Sequence, residues 1–151
     1  MLDAGRHAGS SKNQQRWHFI VINDRATLAA LGRVGTSAAH LAGAGTAVAL
    51  VTPDPRAEDA PLSIVWDSGR AAQNMMLVAW GHGIGSVPAT VYEHTLCREI
   101  LRYPPDRHCE YILSFGYPAA VELVERPPRA GGRLSLDEVV FSEHWGGKRG
   151  W

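Results

Sequence analysis

The sequence is poor in the features that mark several large classes of protein. Its two cysteines, Cys97 and Cys109, cannot build the disulfide framework of a small secreted domain. Fifteen basic residues balance fifteen acidic ones, so there is no basic excess for binding nucleic acid or an anionic membrane. No apolar run approaches the ~18 residues of a transmembrane helix, and the N-terminus does not resemble a secretory signal. We therefore expect a reduced, cytoplasmic protein that binds neither nucleic acid nor membrane.

The chain does contain enough apolar residues for a core, because 45% of its 151 residues are hydrophobic. A chain of this length is expected to fold as one domain. Apolar segments predict strands at 17–23, 46–52 and 110–115. Helical patterns lie at 26–34 (capped by Asp24 or Thr27), 62–82, 93–102 and 136–140. The remaining features are a polar loop at 53–61, a glycine-rich break at 81–90 and an extended arm at 125–133. Such alternation is typical of an α/β or α+β domain, and periodicity does not choose between them.

The longest predicted helix, at 62–82, is apolar around most of its circumference. A helix of this kind is buried on more than one side. One domain of 16.4 kDa is too small to cover all of that surface, and large apolar patches mark interfaces. We therefore expect an obligate homodimer in which a second copy of the chain covers part of the helix.

Local motifs for metal binding are weak. His94 and Cys97 share a helical face, and His108 and Cys109 follow farther along the chain. Zinc needs convergent ligands, usually arranged as two tight pairs, whereas adjacent residues of a strand point to opposite sides. We therefore expect buried thiols and no metal site.

Motifs for nucleophilic catalysis and nucleotide binding are weak as well. Ser68 lacks the preceding glycine of a nucleophile elbow. The glycine clusters at 43–45 and 81–85 lack the strand–loop–helix setting of a dinucleotide fingerprint. Both clusters predict structural turns.

Three segments form a more specific pattern when they are taken together. They are SSKNQQRWHFIV at 10–21, DSGRAAQNMMLVAWGHGIGS at 67–86, and GYP at 116–118 followed by RPPRAGGRLSLDEVV at 126–140. This ordered set resembles the FMN-dependent nitroreductase family, whose motifs read approximately P-S-x-x-N-x-Q-P-W, D-x-G-x-A-x-Q-N-L-L-L-A-A-x-x-L-G-x-G-S, and L-G-Y-P followed by R-x-P-L-x-E-V-V. The resemblance extends from about residue 8 to residue 140.

The resemblance implies an α+β fold with a mixed, mostly antiparallel sheet flanked by helices, and an intertwined homodimer that holds FMN at its interface. By the same resemblance, Ser10, Ser11 and Asn13 lie beside the flavin ring, and Gln15 and Trp17 complete that motif. An isoalloxazine has a flat apolar face and a polar edge, so it needs packing together with a few hydroxyl or amide partners.

Other matched positions receive different roles. Gly85 and Ser86 match the start of a loop that passes near the flavin N5 edge, and Arg133 matches the residue that meets the ribityl phosphate. Arginine suits this role because its guanidinium binds phosphate in a bidentate manner. The flavin carries the hydride chemistry, which explains why no acid–base pair stands out in the sequence.

The sequence departs from the family pattern at several positions. Gly9 and Arg16 replace prolines, Gly131 replaces a frequent lysine, and Ser135 replaces a further proline. The helix and R-R-S-x-R-x-F stretch that usually grip the phosphate have no counterpart in the sequence given, so we expect either that Met1 is an internal residue of a longer product or that this is a shortened member of the family. We therefore expect FMN to be held loosely and to depend heavily on Arg133.

The sequence thus predicts an NAD(P)H-dependent FMN oxidoreductase that reduces a nitroaromatic, a quinone or a similar flat acceptor. One alternative is a non-catalytic dimer of the same fold that binds flavin or a nucleotide weakly. A flavin reductase or a deazaflavin-linked relative is the other alternative among enzymes.

Overall fold

A four-stranded antiparallel sheet lies at the centre of the larger part of the molecule. The computed structural model describes residues 1–119 and 132–147, which fall into two units, Met1–Pro118 and Ala119–Trp151. The strands are β1 (His18–Ile22), β2 (Thr46–Pro53), β3 (Gly85–Thr90) and β4 (Arg107–Gly116), in the order β1-β2-β4-β3. Every pairing among these strands is antiparallel.

Strand β2 shows why the sheet is buried on both faces. Ala49 and Val51 belong to one core cluster, whereas Val48 and Leu50 belong to another. Because successive side chains of a strand point to opposite faces, a continuous apolar run supplies both cores. The predicted strand at 46–52 is therefore confirmed, with its end at Pro53.

The described residues of the first unit contain four α-helices, and the last three of them confirm predicted helices with small shifts of their ends. The four helices are α1 (Leu2–Arg6), α2 (Arg25–Leu31), α3 (Ser63–Gly81) and α4 (His94–Leu101), with 3-10 turns at Ser11–Asn13 and Ala38–Gly43. Asp24 caps α2, and its Oδ2 accepts a hydrogen bond from the Thr27 backbone N–H at 2.8 Å. Arg102 ends α4 in the left-handed conformation, with φ 55°. Among the described residues, no helix is long and apolar enough to cross a membrane.

The two faces of the sheet are covered by different elements. On the first, here called the closed face, α2, the Ala38–Gly43 turn and α4 bury Leu28, Leu41 and Ile112 completely. On the second, α3 packs Met75 and Ala79 against the sheet. The opposite side of α3, called its outer face, exposes large apolar side chains. They are Leu62 (91% exposed), Trp66 (70%), Leu77 (59%), Trp80 (59%) and Val65 (56%).

The prediction of a glycine-rich break over the whole of 81–90 is wrong. The turn ends at Ile84, and Gly85–Thr90 form β3. This strand pairs with β4 along its whole length, from Gly85, which faces Gly116, to Thr90, which faces Tyr111. Pairing with β4 outweighs the weak strand propensity of a segment that contains glycine and proline. Pro88 is tolerated because β3 is an edge strand.

Strand β4 begins earlier than the predicted 110–115. Its first residues pair with Val51–Pro53, and a β-bulge at Glu110 interrupts the register, since Leu50 faces Tyr111 while Val51 faces Cys109. The bulge is not visible in the alternation of the sequence.

The second unit is described over residues 132–147. Its helix α5 (Leu136–Val139) confirms the predicted helix at 136–140, and a capping box between Ser135 and Glu138 begins it. The predicted extended arm at 125–133 lies outside the described residues except for its last two positions.

Candidate functional site

The loop that follows α1, residues 10–15, has an unusual backbone. Lys12, Asn13 and Gln15 all adopt positive φ angles, of 52°, 54° and 44°. Non-glycine residues seldom occupy this region, and each costs energy that surrounding contacts must offset. Ser10 Oγ accepts a hydrogen bond from the Gln15 backbone N–H at 3.0 Å, and Asn13 Oδ1 accepts one from Gln15 Nε2 at 3.0 Å. The loop is therefore specifically built, although its side chains are mostly exposed.

A buried carboxylate attaches this loop to α3. Asp67 is 3% exposed, and its Oδ2 accepts a hydrogen bond from the Ser11 backbone N–H at 2.9 Å. Trp17 packs beneath the loop with Ala8 and Ala71, also from α3. The first predicted segment is thus held to the N-terminal half of α3 by a polar contact and an apolar one.

The residues that replace two family prolines also contact α3. A Cβ at Gly9 would lie 2.6 Å from Arg70 Nη2, so glycine lets the chain pass close to that side chain. Arg16 Nη1 donates a hydrogen bond to Ser63 Oγ at 3.1 Å. These departures are therefore accommodated within the fold.

The second predicted segment lies beside a different cavity. Gly85 and Ser86, at the start of β3, line a space of about 400 Å³ together with His40, Trp80 and Tyr117. The cavity is formed by the Ala38–Gly43 turn, the C-terminal end of α3, the beginning of β3 and the end of β4.

His40 has a defined hydrogen-bonding state in this cavity. The Ser114 hydroxyl donates to Val87 O at 3.1 Å, so it accepts from His40 Nδ1 at 3.0 Å. This assigns the proton of neutral His40 to Nδ1 and leaves a lone pair on Nε2. Burial lowers the pKa of His40 below its ordinary value, which favours the neutral ring.

The two predicted segments do not meet within one chain. Asp67, which binds Ser11, and Trp80, which lines the Ser86 cavity, are thirteen residues apart on α3. At about 1.5 Å per residue, this separation is about 20 Å along the helix. Arg133 is exposed in the second unit, shortly before the capping residue Ser135.

The sequence missed one cluster of polar side chains. His94 and His108, which were expected not to bind a metal, lie with ring centroids 4.4 Å apart, and Glu110 Oε2 lies 2.7 Å from His108 Nε2. Cys97 and Cys109 are instead fully buried in the core of the closed face. The i, i+2 spacing of His108 and Glu110 was the available signal, because it places both side chains on one side of a strand.

Burial and neighbouring groups shift the pKa values of two members of this cluster, Glu110 and His94. Burial raises the pKa of Glu110, but hydrogen bonds from His108 and Arg56 outweigh it and the net shift is downward. Burial also lowers the pKa of His94, with smaller contributions from His108 and Arg56. The cluster therefore favours an ionised carboxylate beside a neutral His94 ring.

Comparison with known proteins identifies the family. A family model described as the nitroreductase family matches residues 1–117. A protein of Archaeoglobus fulgidus with the name "Putative NADH dehydrogenase/NAD(P)H nitroreductase" is 35% identical over 123 residues, which are 78% of this chain and 70% of that protein. A protein of Methanothermobacter thermautotrophicus with the same name is 31% identical over 79% of this chain and 64% of its own length.

A solved structure supports the same assignment. The FMN-dependent nitroreductase of Clostridium difficile R20291 has a TM-score of 0.75 and 26% identity, and the match covers 95% of this chain and 84% of that one. The shared fold includes the antiparallel sheet flanked by helices. The chain belongs to the nitroreductase family.

Proposed function

We propose that the protein is an FMN-dependent oxidoreductase that takes electrons from NAD(P)H and delivers them to a flat acceptor such as a nitroaromatic or a quinone. The observation that carries the proposal is the loop at 10–15, in which three left-handed residues are held in place by Asp67 and by internal hydrogen bonds. Strained backbone of this kind is concentrated at binding and catalytic sites. The names of the relatives and of the structural neighbour support the donor and the cofactor.

The residues of the loop fit the polar edge of a flavin. Ser11, Asn13 and Gln15 are exposed, and they offer hydroxyl and carboxamide groups that both donate and accept. We propose that Ser10, Ser11, Asn13 and Gln15 orient the ring through these groups. When bound there, FMN would supply the hydride chemistry that links the nicotinamide to the acceptor.

The remaining predicted residues complete the proposed site. Gly85 and Ser86 supply backbone and hydroxyl groups at the edge of β3, and Arg133 supplies a bidentate cation for the phosphate. We propose that two chains build the site, because the loop and the Ser86 cavity are separated by about 20 Å along α3. The apolar outer face of α3 provides a surface for that homodimer.

The direct test is to purify the protein and to add FMN, NAD(P)H and a nitroaromatic acceptor. We expect a flavin absorbance band and oxidation of NAD(P)H that depends on FMN and follows ping-pong kinetics. Arg133→Ala is expected to weaken FMN binding at least about tenfold, since hydrogen bonds to charged groups contribute about 1.5–3 kcal/mol. A colourless protein that is inert at saturating FMN would contradict the proposal.

A second candidate is a dimer that binds flavin weakly without turnover. It is favoured by Gly9, Gly131 and Ser135, which stand where the motifs of the family have proline or lysine. Flavin binding without oxidation of NAD(P)H would support this candidate.

In either case we propose the cytoplasm as the compartment, since the buried free thiols Cys97 and Cys109 fit a reducing environment.

A further inference from the structure

The cluster of His94, His108 and Glu110 brings two imidazoles and a carboxylate together from different elements. His94 is the first residue of α4, whereas His108 and Glu110 lie on β4 on either side of Cys109. One ligand atom from each of the three side chains lies within 4.8 Å of the others. The β-bulge lies within this cluster, because Glu110 is the residue of β4 that the pairing with β2 skips.

A cationic nitrogen already lies among these acceptors. Arg56 Nη2 donates to His94 Nε2 at 3.1 Å and to the Glu110 carboxylate at 2.8 and 3.1 Å. The lone pair of His94 and the negative charge of Glu110 therefore converge on one positive atom. Arg56 comes from the loop after β2 and its side chain is 56% exposed, so it can leave the cluster without opening the core.

Two imidazoles and one carboxylate are an established donor set for zinc, with a water molecule as the fourth ligand. His94 Nε2 already presents its lone pair. His108 Nε2 now donates to Glu110, so metal binding there moves the proton of the neutral ring to Nδ1. Asp54 Oδ1 lies 3.8 Å from that Nδ1, so this half-exposed carboxylate would have to move closer to accept the hydrogen bond that usually supports a metal-bound histidine.

We propose that His94, His108 and Glu110 form a Zn²⁺ site, with Arg56 as an internal cation that competes with the metal for it. The site joins α4, the bulge of β4 and, through Asp54, the loop that follows β2. None of the residues proposed for the flavin takes part, so the two proposals stand or fall separately.

The test is calorimetric titration of ZnCl₂ into protein that has been treated with a chelator and then freed of it. We expect one zinc ion per chain in the wild type. His94→Ala and Glu110→Gln are each expected to lower affinity by at least about tenfold, as the loss of support or ligands at metal sites does. Removing the competing cation with Arg56→Ala is expected to raise affinity by up to about fivefold.

The matched control is His18→Ala, which removes an exposed histidine of β1 outside the cluster. It should bind zinc as the wild type does. Because His108 is buried, its replacement can unfold the protein, so His94→Ala and Glu110→Gln carry the test, with thermal unfolding to check that each variant is folded. Absence of stoichiometric binding in both the wild type and Arg56→Ala would overturn the proposal. Binding that survives Glu110→Gln or is lost in His18→Ala would also overturn it.

Discussion

The two faces of the sheet are both covered by helices, but they differ in what the covering layer leaves exposed. On the closed face, Leu28, Leu31 and Leu41 are completely buried. On the other face, α3 buries Met75 and Ala79 toward the sheet and leaves Trp66 and Trp80 exposed on its outer face. The layer on the closed face thus buries its large apolar side chains within a single chain. In contrast, α3 presents a second apolar surface on the side that faces away from the sheet.

The two faces of the sheet therefore have different roles, one mainly in stability and the other in positioning the candidate site. Within the first unit, the elements that cover the closed face supply none of the residues proposed to hold the flavin, although His40 of the Ala38–Gly43 turn lines the Ser86 cavity. In contrast, α3 anchors the loop at 10–15 through Asp67 and lines the Ser86 cavity through Trp80. The layer with the exposed apolar surface is therefore the one that anchors the loop at 10–15 and contributes to the Ser86 cavity.

The largest effect is expected from a truncation on the closed face. Ile112→Ala removes a completely buried side chain from the central strand β4 and should cost about 2–5 kcal/mol of unfolding free energy, because of lost burial and the cavity left behind. Urea unfolding measures this cost, and Ile112→Val, the control, should cost only about 0.5–1.5 kcal/mol. A loss for Ile112→Ala no greater than that of the control would show that this face is not closely packed.

The next effect concerns the outer face of α3. Trp66→Asp places a charge on the apolar surface and should raise the dimer dissociation constant by at least about thirtyfold, as loss of a central tryptophan does in other interfaces. Light scattering over a concentration series measures it, and Trp66→Phe should retain the dimer. A wild type that is a stable monomer at low micromolar concentration would contradict the prediction that the outer face of α3 forms a dimer interface.

A smaller effect is expected in the loop that α3 anchors. Asn13 occupies a left-handed conformation, so Asn13→Ala changes both the side chain and the backbone preference, whereas Asn13→Gly removes the side chain and keeps the conformation accessible. If the carboxamide binds flavin, both variants should weaken FMN binding a few-fold to about tenfold, corresponding to about 0.5–1.5 kcal/mol.

Fluorescence titration with FMN measures that loss, and Gln14→Ala, an exposed neighbour in the same loop, serves as the control. Should Asn13→Ala lower thermal stability while both variants bind FMN normally, Asn13 has a purely structural role in the turn.

The smallest effect is expected at the cap of α2. Hydrogen bonds from the hydroxyl and the backbone N–H of Thr27 hold the pKa of Asp24 below its ordinary value of 3.8. A carboxylate whose pKa is lowered by folding stabilises the protein above its unfolded pKa, and this stabilisation is lost as the pH falls through the folded value. Asp24→Ala should therefore lower Tm at neutral pH, by an amount that shrinks as the pH falls below about 3.8. Thermal unfolding of Asp24→Asn, which keeps an acceptor without the charge, is the control; an unchanged difference at low pH would contradict this account.

Much of the fold was predictable because its elements have strong local patterns. The apolar run of β2, the long helix α3 and the Asp24 cap were all found from the sequence. Strand β3 was missed because glycine and Pro88 give it little local preference, and its conformation depends on pairing with β4, a contact distant in sequence.

The candidate site was predictable to a lesser extent. The ordered motifs located the loop at 10–15, but not its left-handed backbone or its anchor at Asp67, which depend on contacts between the loop and α3. The meeting of His94 with His108 and Glu110 was missed because it depends on the packing of the start of α4 against β4, a tertiary contact that no local pattern shows.

Pro88 has a consequence for the behaviour of the protein in concentrated solution. The free edge of a sheet can recruit strands from other molecules and so begin aggregation. Proline has no backbone N–H, and an edge that lacks one donor in the middle of a six-residue strand is a poor template for such growth. Among the described strands, the edge formed by β3 is thereby protected against intermolecular strand pairing, whereas the opposite edge, formed by β1, contains no proline.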